Sequence, residues 1–369
     1  MFPARSLVAG RLRVIASREL AREILHAPLE QYAAGAANSR ILPLLPENTL
    51  LTLDGPPHLR RRRELSPLLG HGRLQATVGT IDSIVSQELD TWSPELPFPV
   101  LPRLRRLTLR IATAVIIGEI DGAEFGLLER GLDAALKPYG MLSGSSALRM
   151  LGPASPQAAS ARGRERFAAH LARLAADRVP PISSDELLAL LLAGQDTTAT
   201  AIAWALLELA RDPLSVRAML DQSGQLDEAW LDAVVHETLR LHPPLIDIVR
   251  QPREPVELGG EVVPPGALLM ICPALVGHAR IQNPQRFDPA RMLGRRPDPD
   301  GWIPFGGGAR RCLGAPLALT ELKVVLRQVL QRFVIKPARP ALEQARLRGT
   351  AVVPVHGGEL VLTRRARSR

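Results

Sequence analysis

The chain has 369 residues, 46% hydrophobic content, 4% aromatic content and a formal net charge of +9. With a mean hydropathy of +0.04, that length supports one large core built mainly from aliphatic side chains. No uninterrupted apolar run is long enough to span a bilayer, the start MFPARSLVAGRLRVIAS lacks a signal-peptide core, two cysteines supply no disulfide framework, and the basic clusters form no aromatic-interleaved patch for nucleic acid.

Residues 11 to 36 open as a short strand, RLRVIAS, and pass into an amphipathic helix, RELAREILHA. Ser17 is its N-cap, with Glu19 and Glu23 in the early turns. Periodicity fades from Ala33 to Thr52, which reads as loop. A helix follows Pro56-Pro57 and runs through the Arg60 to Arg63 cluster. Residues 75 to 92 and 100 to 120 read as helices with a Pro-rich break between them. Residues 125 to 170 are weakly patterned helices joined by a mobile connection, with Gly and Ser around 140 to 146.

Residues 184 to 211 give the strongest helical pattern, opened by Ser183-Ser-Asp-Glu186 as a capping box and followed by Pro213. At 1.5 Å per residue this helix is roughly 40 Å long. Being apolar on most sides, it is expected to cross the middle of the molecule. A helix over 226 to 241 ends at His242-Pro243-Pro244, and 245 to 275 turns strand-like, with turns at Gly259-Gly260 and Pro264-Pro265-Gly266. Ala315 to Phe333 is helical, and 350 to 364 reads as a terminal hairpin around Gly357-Gly358. No repeat or clean linker divides the chain, so residues 1–369 are expected to form a single domain, mainly α with a small β subdomain.

The run Phe305-Gly-Gly-Gly-Ala-Arg-Arg-Cys312-Leu-Gly314 carries most of the chemistry. Cys312 stands behind a glycine loop and ahead of a helix, where the dipole and free N–H groups stabilise a thiolate. Three glycines let the backbone approach a flat ligand, and Arg310 can meet an anionic group on it. A planar, dianionic, metal-centred cofactor fits these features, and haem held by a cysteine thiolate is the known instance. The other cysteine, Cys272, lies in an apolar run and reads as core packing. Mid-helix Ala193-Gly194-Gln195-Asp196-Thr197-Thr198 sets a glycine, an acid and an alcohol together, a set suited to proton delivery beside a metal.

The ligand run resembles the haem-ligand signature of the cytochrome P-450 superfamily, with Phe305, Gly308, Arg310, Cys312 and Gly314 at its spaced positions. The 193–198 run resembles the family's oxygen-activation motif, which gives Thr197 the alcohol role and Asp196 the acid role. Glu237 and Arg240, at i and i+3, resemble the family's buried pair, with Arg291 as its third member and a structural role. His58 and Arg62, with Arg250 and Arg310, correspond to propionate contacts. The resemblance runs from roughly Asp54 to the C-terminus and is nearest to soluble bacterial members; the N-terminus is short beside theirs.

What the resemblance implies is a haem-thiolate monooxygenase, with haem b on Cys312, that hydroxylates or epoxidises an apolar small molecule such as a terpenoid, polyketide or lipid-like secondary metabolite. Pocket positions fall on Leu190, Ala193, Leu245, Ile246, Asp247, Ile248, Val249 and Val352. Asp247 fits two roles, binding a substrate amine or hydroxyl, or helping to fix a propionate. No Walker loop or Gly-x-Gly-x-x-Gly run is present, so electrons are expected from a separate ferredoxin or flavodoxin and its reductase. Arginines on the cysteine side would attract such an acidic partner. The protein is expected to be cytoplasmic and monomeric, without a membrane span or nucleic-acid partner. The rivals are a haem-thiolate enzyme with non-hydroxylating or peroxide-driven chemistry, and a non-enzymatic haem-binding protein.

Overall fold

The computed structural model describes residues 7–9, 12–42, 45–93, 95–141, 167–176, 181–220 and 226–365. Ser17 Oγ accepts the Leu20 N–H at 3.3 Å and starts α1 (Arg18–His26), which buries Ala21, Ile24 and Leu25. A short helix, α2 (Gly35–Ile41), stands in the stretch expected to be loop. It forms because a distant carboxylate serves as its cap: Asp54 takes the N–H groups of Ala34, Gly35 and Ala36 at 2.9, 2.7 and 3.0 Å. Then come α3 (Gly55–Leu65), α4 (His71–Asp90), α5 (Val100–Ile116) and α6 (Gly122–Met141). The connection expected within 142–166 lies outside the described residues.

The expected long helix is α7 (Ser184–Arg211). Ser183 Oγ caps the Glu186 N–H at 3.1 Å, but Glu186 does not complete a capping box. Its carboxylate is buried and accepts the Leu50 N–H at 3.0 and 3.1 Å, with Arg61 at 3.4 Å. Every residue of α7 from Thr198 to Ala210 is buried. Its apolar stretch is long enough to cross a membrane by composition alone, yet 67% of it is buried inside the protein. It is a core helix packed most extensively against α5. Trp204 anchors it, 1% exposed, donating Nε1–H to the Val352 carbonyl at 2.8 Å. Burying one such large apolar side chain contributes about 1.5–3 kcal/mol.

Pro213 sits at the start of α8 (Pro213–Met219), and α9 (Glu228–Leu241), α10 (Pro273–His278) and α11 (Ala315–Arg332) follow. The strands are β1 (Leu7–Ala9), β2 (Leu12–Ile15), β3 (Tyr32–Ala33), β4 (Phe98–Pro99), β5 (Ile248–Pro252), β6 (Val256–Leu258), β7 (Glu261–Val263) and β8 (Leu268–Ile271), then β9 (Phe333–Pro337), β10 (Ala345–Arg348), β11 (Ala351–Pro354) and β12 (Glu359–Arg364). One sheet runs β1-β2-β8-β5-β3, with β2 parallel to β8 and Leu12 opposite Leu268. This sheet and α1 close a smaller core of Ile15, Ile24, Leu25, Leu269 and Ile271, beside the large helical core.

The terminal hairpin is not the expected one. β11 pairs with β10, Val352 opposite Leu347, while β12 pairs with β9 and β4 in another sheet. Glu343 explains the routing. Its carboxylate takes the N–H groups of His356, Gly358 and Glu359 at 2.8, 3.3 and 2.6 Å. The Gly357-Gly358 turn therefore carries the chain between sheets, and Leu360 and Leu362 enter the large core.

Candidate functional site

A cavity of about 790 Å³ lies between α2, α3, α7, β5, the loop before α11 and the β10–β11 turn. Cys312 lines it, whereas Cys272 stands elsewhere, at the residue before α10, with no side-chain capping bond. The Cys312 N–H donates to the Phe305 carbonyl at 2.8 Å, and Phe305 meets Trp302 edge-on at 5.8 Å. Although Cys312 is exposed to the cavity space, withdrawal from bulk water raises its thiol; the Gly314 N–H, Arg62, the Ala315 N–H and Arg311 pull it down. Metal ligation deprotonates such a thiol outright. The glycine run has a different reason from the expected one at Gly308. Its φ is +61°, and a Cβ there would lie 2.1 Å from the Leu25 carbonyl oxygen. Gly308 is required by the close approach of α1, and Gly306 lines the cavity instead.

Among the described residues, His58 and Arg62 from α3, Arg250 from β5, and Arg310 form one basic cluster on the cavity wall, which Arg105, Arg311 and Arg348 also line. His58 is 2% exposed, its Nδ1 has no partner, and burial with the fields of Arg310 and Arg62 lowers its pKa to about 4. Burial, then Arg310, lowers Arg250 to about 10, and among the described residues its guanidinium donates only to its neighbour's carbonyl, Val249, at 2.8 Å. Arg310 is lowered to about 10 by burial, and its Nε has no partner. It donates to Asp54 at 2.5 Å and to the Leu53 carbonyl at 2.5 Å. Asp54, the one acid in this cluster, is shared with α2 and with Arg253 at 3.6 Å. A basic cluster short of counter-charge, facing a thiol, fits a flat dianion such as haem with its two propionates.

The opposite wall is α7. Leu190, Ala193, Gly194, Asp196 and Thr197 line the cavity. Thr197 Oγ1–H donates to the Ala193 carbonyl at 2.7 Å, leaving the oxygen as an acceptor. Asp196 is bound by Arg105 of α5, whose other guanidinium nitrogen lies 3.8 Å from Asp133. Sequence reading missed Arg105 as a partner, since 91 residues separate it from Asp196 and only packing brings the two together. Leu245, Asp247, Ile248 and Val249 line the cavity as expected. Two expected pocket residues do not. Ile246 is 42% exposed, and Val352 is held in the backbone pairing of β11, with its N–H on the Pro244 carbonyl at 2.8 Å. Residues 348–351 provide that wall instead, including Arg348. Glu321 of α11 also lines the cavity; burial raises its carboxyl well above the usual range.

Glu237 gathers Arg240 and Arg291 away from the cavity. Arg240 donates to its two oxygens at 2.7 and 2.9 Å, Arg291 Nε at 2.9 Å and the Asp288 N–H at 3.1 Å. The cluster reaches the cysteine loop through Trp302, whose Nε1–H donates to the His236 carbonyl at 2.9 Å.

Comparison with known proteins agrees with this geometry. The cytochrome P-450 family profile matches residues 184–355. The Mycobacterium tuberculosis protein named cytochrome P-450 135B1 is 32% identical over 366 residues, covering 89% of this chain and 77% of its own. Cytochrome P-450 138 of the same organism is 31% identical over 400 residues, covering 99% and 89%. The solved structure of CYP175A1 from Thermus thermophilus matches with a TM-score of 0.80 at 23% identity, covering 96% and 90% of the two chains. The retinoic acid-bound cyanobacterial CYP120A1 matches with a TM-score of 0.80 at 23% identity, covering 96% and 89%.

Proposed function

The chain belongs to the cytochrome P-450 family, and on that premise we propose that it oxygenates an apolar small molecule in the cavity beside Cys312. Family membership brings haem ligated by a cysteine thiolate and a monooxygenase reaction. The observation that carries the residue assignment is the single cavity that joins Cys312 to His58, Arg62, Arg250 and Arg310, a basic set short of acid.

In this reading Cys312 would hold the haem iron through its thiolate. The Gly314 and Ala315 N–H groups at the start of α11 hold its negative charge, as do Arg62 and Arg311. His58, Arg62, Arg250 and Arg310 bind the propionates. Bound there, haem supplies the binding and reductive splitting of dioxygen. Thr197, its own hydrogen tied to Ala193, accepts and holds a proton donor at the cavity. Asp196 supplies protons to that position, and Arg105 fixes its carboxylate at the cavity edge between turnovers. Glu237, Arg240 and Arg291 brace the loop that carries the cysteine.

Leu190, Ala193, Leu245, Ile248 and Val249 make the substrate wall largely aliphatic, which favours a terpenoid, polyketide or lipid-like secondary metabolite. Arg60, Arg63 and Arg311 are exposed on α3 and the cysteine loop. They suit an acidic ferredoxin or flavodoxin as separate electron donor. Arg61 is not free for that task, since it pairs with Glu64 at 3.0 Å. The protein acts as a cytoplasmic monomer in this reading. The test is the absorption of the dithionite-reduced protein with carbon monoxide. A strongly red-shifted Soret band is expected; a band where histidine-ligated haem absorbs would overturn the assignment of Cys312.

A further inference from the structure

Charged side chains are costly in the wall of a largely apolar cavity, so each one needs an answering group. On the α7 side the answers are internal: Arg105 holds Asp196 and lies 3.8 Å from Asp133. Arg348 lies in the fields of Asp196 and Asp133, though burial and Arg105 act more strongly on it. Asp247 has no such answer. It lines the cavity between Leu245, which bridges to Ala351, and β5. Among the described residues no hydrogen bond or ion pair reaches its carboxylate, and burial alone raises its pKa. Arg250, three residues on, belongs to a different group. Its field comes from Arg310 and Asp54, and its hydrogen bond goes to the Val249 carbonyl. Asp247 therefore stands apart from the four basic residues read as the propionate clamp, which favours the substrate-binding one of the two roles its sequence position allowed.

We infer that Asp247 anchors a cationic nitrogen on an otherwise apolar substrate, so that the cavity takes lipophilic ammonium compounds. The inference rests on the reading of this cavity as the substrate pocket of a haem-thiolate enzyme. A half-buried carboxylate gains more from a full counter-charge than from a neutral hydroxyl. The surrounding Leu190, Ala193, Leu245 and Ile248 accept the aliphatic remainder. A hindered or quaternary nitrogen suits the site best, because it cannot itself ligate iron.

The test uses the ferric haem-loaded protein and three probes of equal chain length: decyltrimethylammonium, decanol and decanoate. Binding is read from the spin-state change of the Soret band, without turnover. Decyltrimethylammonium is expected to bind most tightly. Asp247→Asn should weaken it about 10- to 100-fold while leaving decanol within about twofold. Asp247→Glu, which keeps the charge, should recover most of the loss. Equal weakening of all three probes by Asp247→Asn would overturn the inference, as would tightest binding of decanoate with loss in Arg348→Ala. The reduced carbon monoxide spectrum of the same preparations separates the two readings. An intact red-shifted band without ammonium preference overturns this inference alone; its absence in the unaltered protein overturns the haem-thiolate reading and this one with it.

Discussion

Arg240 and Arg291 converge on the carboxylate of Glu237 and fill its hydrogen-bonding capacity, whereas Arg250 and Arg310, also withdrawn from water, face each other and His58 with Asp54 as the one acid among them. The first cluster is closed: its charges are answered within the chain, and its effect is to fix where α9 meets the 282–291 segment. The second is open, three guanidinium groups and an imidazole against one carboxylate; orphaned donors do not separate the two, since Arg240 Nη1 lacks a partner as Arg310 Nε does. Both are rich in arginine, and arginine content alone does not distinguish a brace from a binding site. What distinguishes them is whether the counter-charge is already present.

The contrast breaks most sharply at Glu237. Glu237→Ala leaves Arg240 buried without an anion and Arg291 with only Asp288 at 3.5 Å, and should cost about 3–5 kcal/mol, measured by denaturant unfolding of the apoprotein. Arg250→Leu should do the reverse to the apoprotein, leaving its stability unchanged or raised, because it removes an unanswered charge. Haem retention should fall about 10- to 100-fold, read by haem transfer to an acceptor protein. Equal destabilisation by both substitutions would erase the distinction between brace and clamp.

His58 sharpens the comparison through pH. Its imidazole ordinarily titrates at 6.5 and here at about 4. Below 6.5 the unfolded chain takes up a proton that the folded apoprotein refuses, so stability falls as pH drops and levels off below about 4. Because the group borders an open cavity, solvent screening reduces the loss to something on the order of 1–2 kcal/mol. Haem-loaded protein should lose less over this range, since a propionate supplies the missing anion. Pre-titrated unfolding curves of both forms measure the difference. The smallest effect is expected at Gly194, outside both clusters. A Cβ there meets only the Ala112 Cβ at 3.7 Å, so Gly194→Ala should stabilise the apoprotein by about 0.5–1 kcal/mol. Haem loss in that variant would show that the ligand plane approaches this backbone.

The parts of the site legible in the sequence are those whose meaning is local. The cysteine loop, the 193–198 run and the i, i+3 pair of Glu237 and Arg240 carry their spacing within a few residues. Asp54 and Arg105 were not legible, because their partners are set by tertiary packing: Asp54 caps a helix 20 residues earlier and binds Arg310, 256 residues later. Glu186 misled for the same reason, since its position fits a capping box while its carboxylate answers Leu50. The terminal strands misled because a paired glycine turn marks a reversal without saying which strands it joins, and Glu343 decides that from outside the turn.

The contact between Gly308 and Leu25 has a consequence in time. The loop that carries the cysteine closes against a helix made some 280 residues earlier. At about 20 residues per second on the ribosome, α1 waits roughly 15 s for the segment it must hold. During that wait Leu25 and Ile24 can bury against their own small sheet only after β8 has been made as well. Capture of the cofactor is thus a late event in the life of a new chain. Haem supplied before residue 312 has been made meets a chain that still lacks its cysteine ligand.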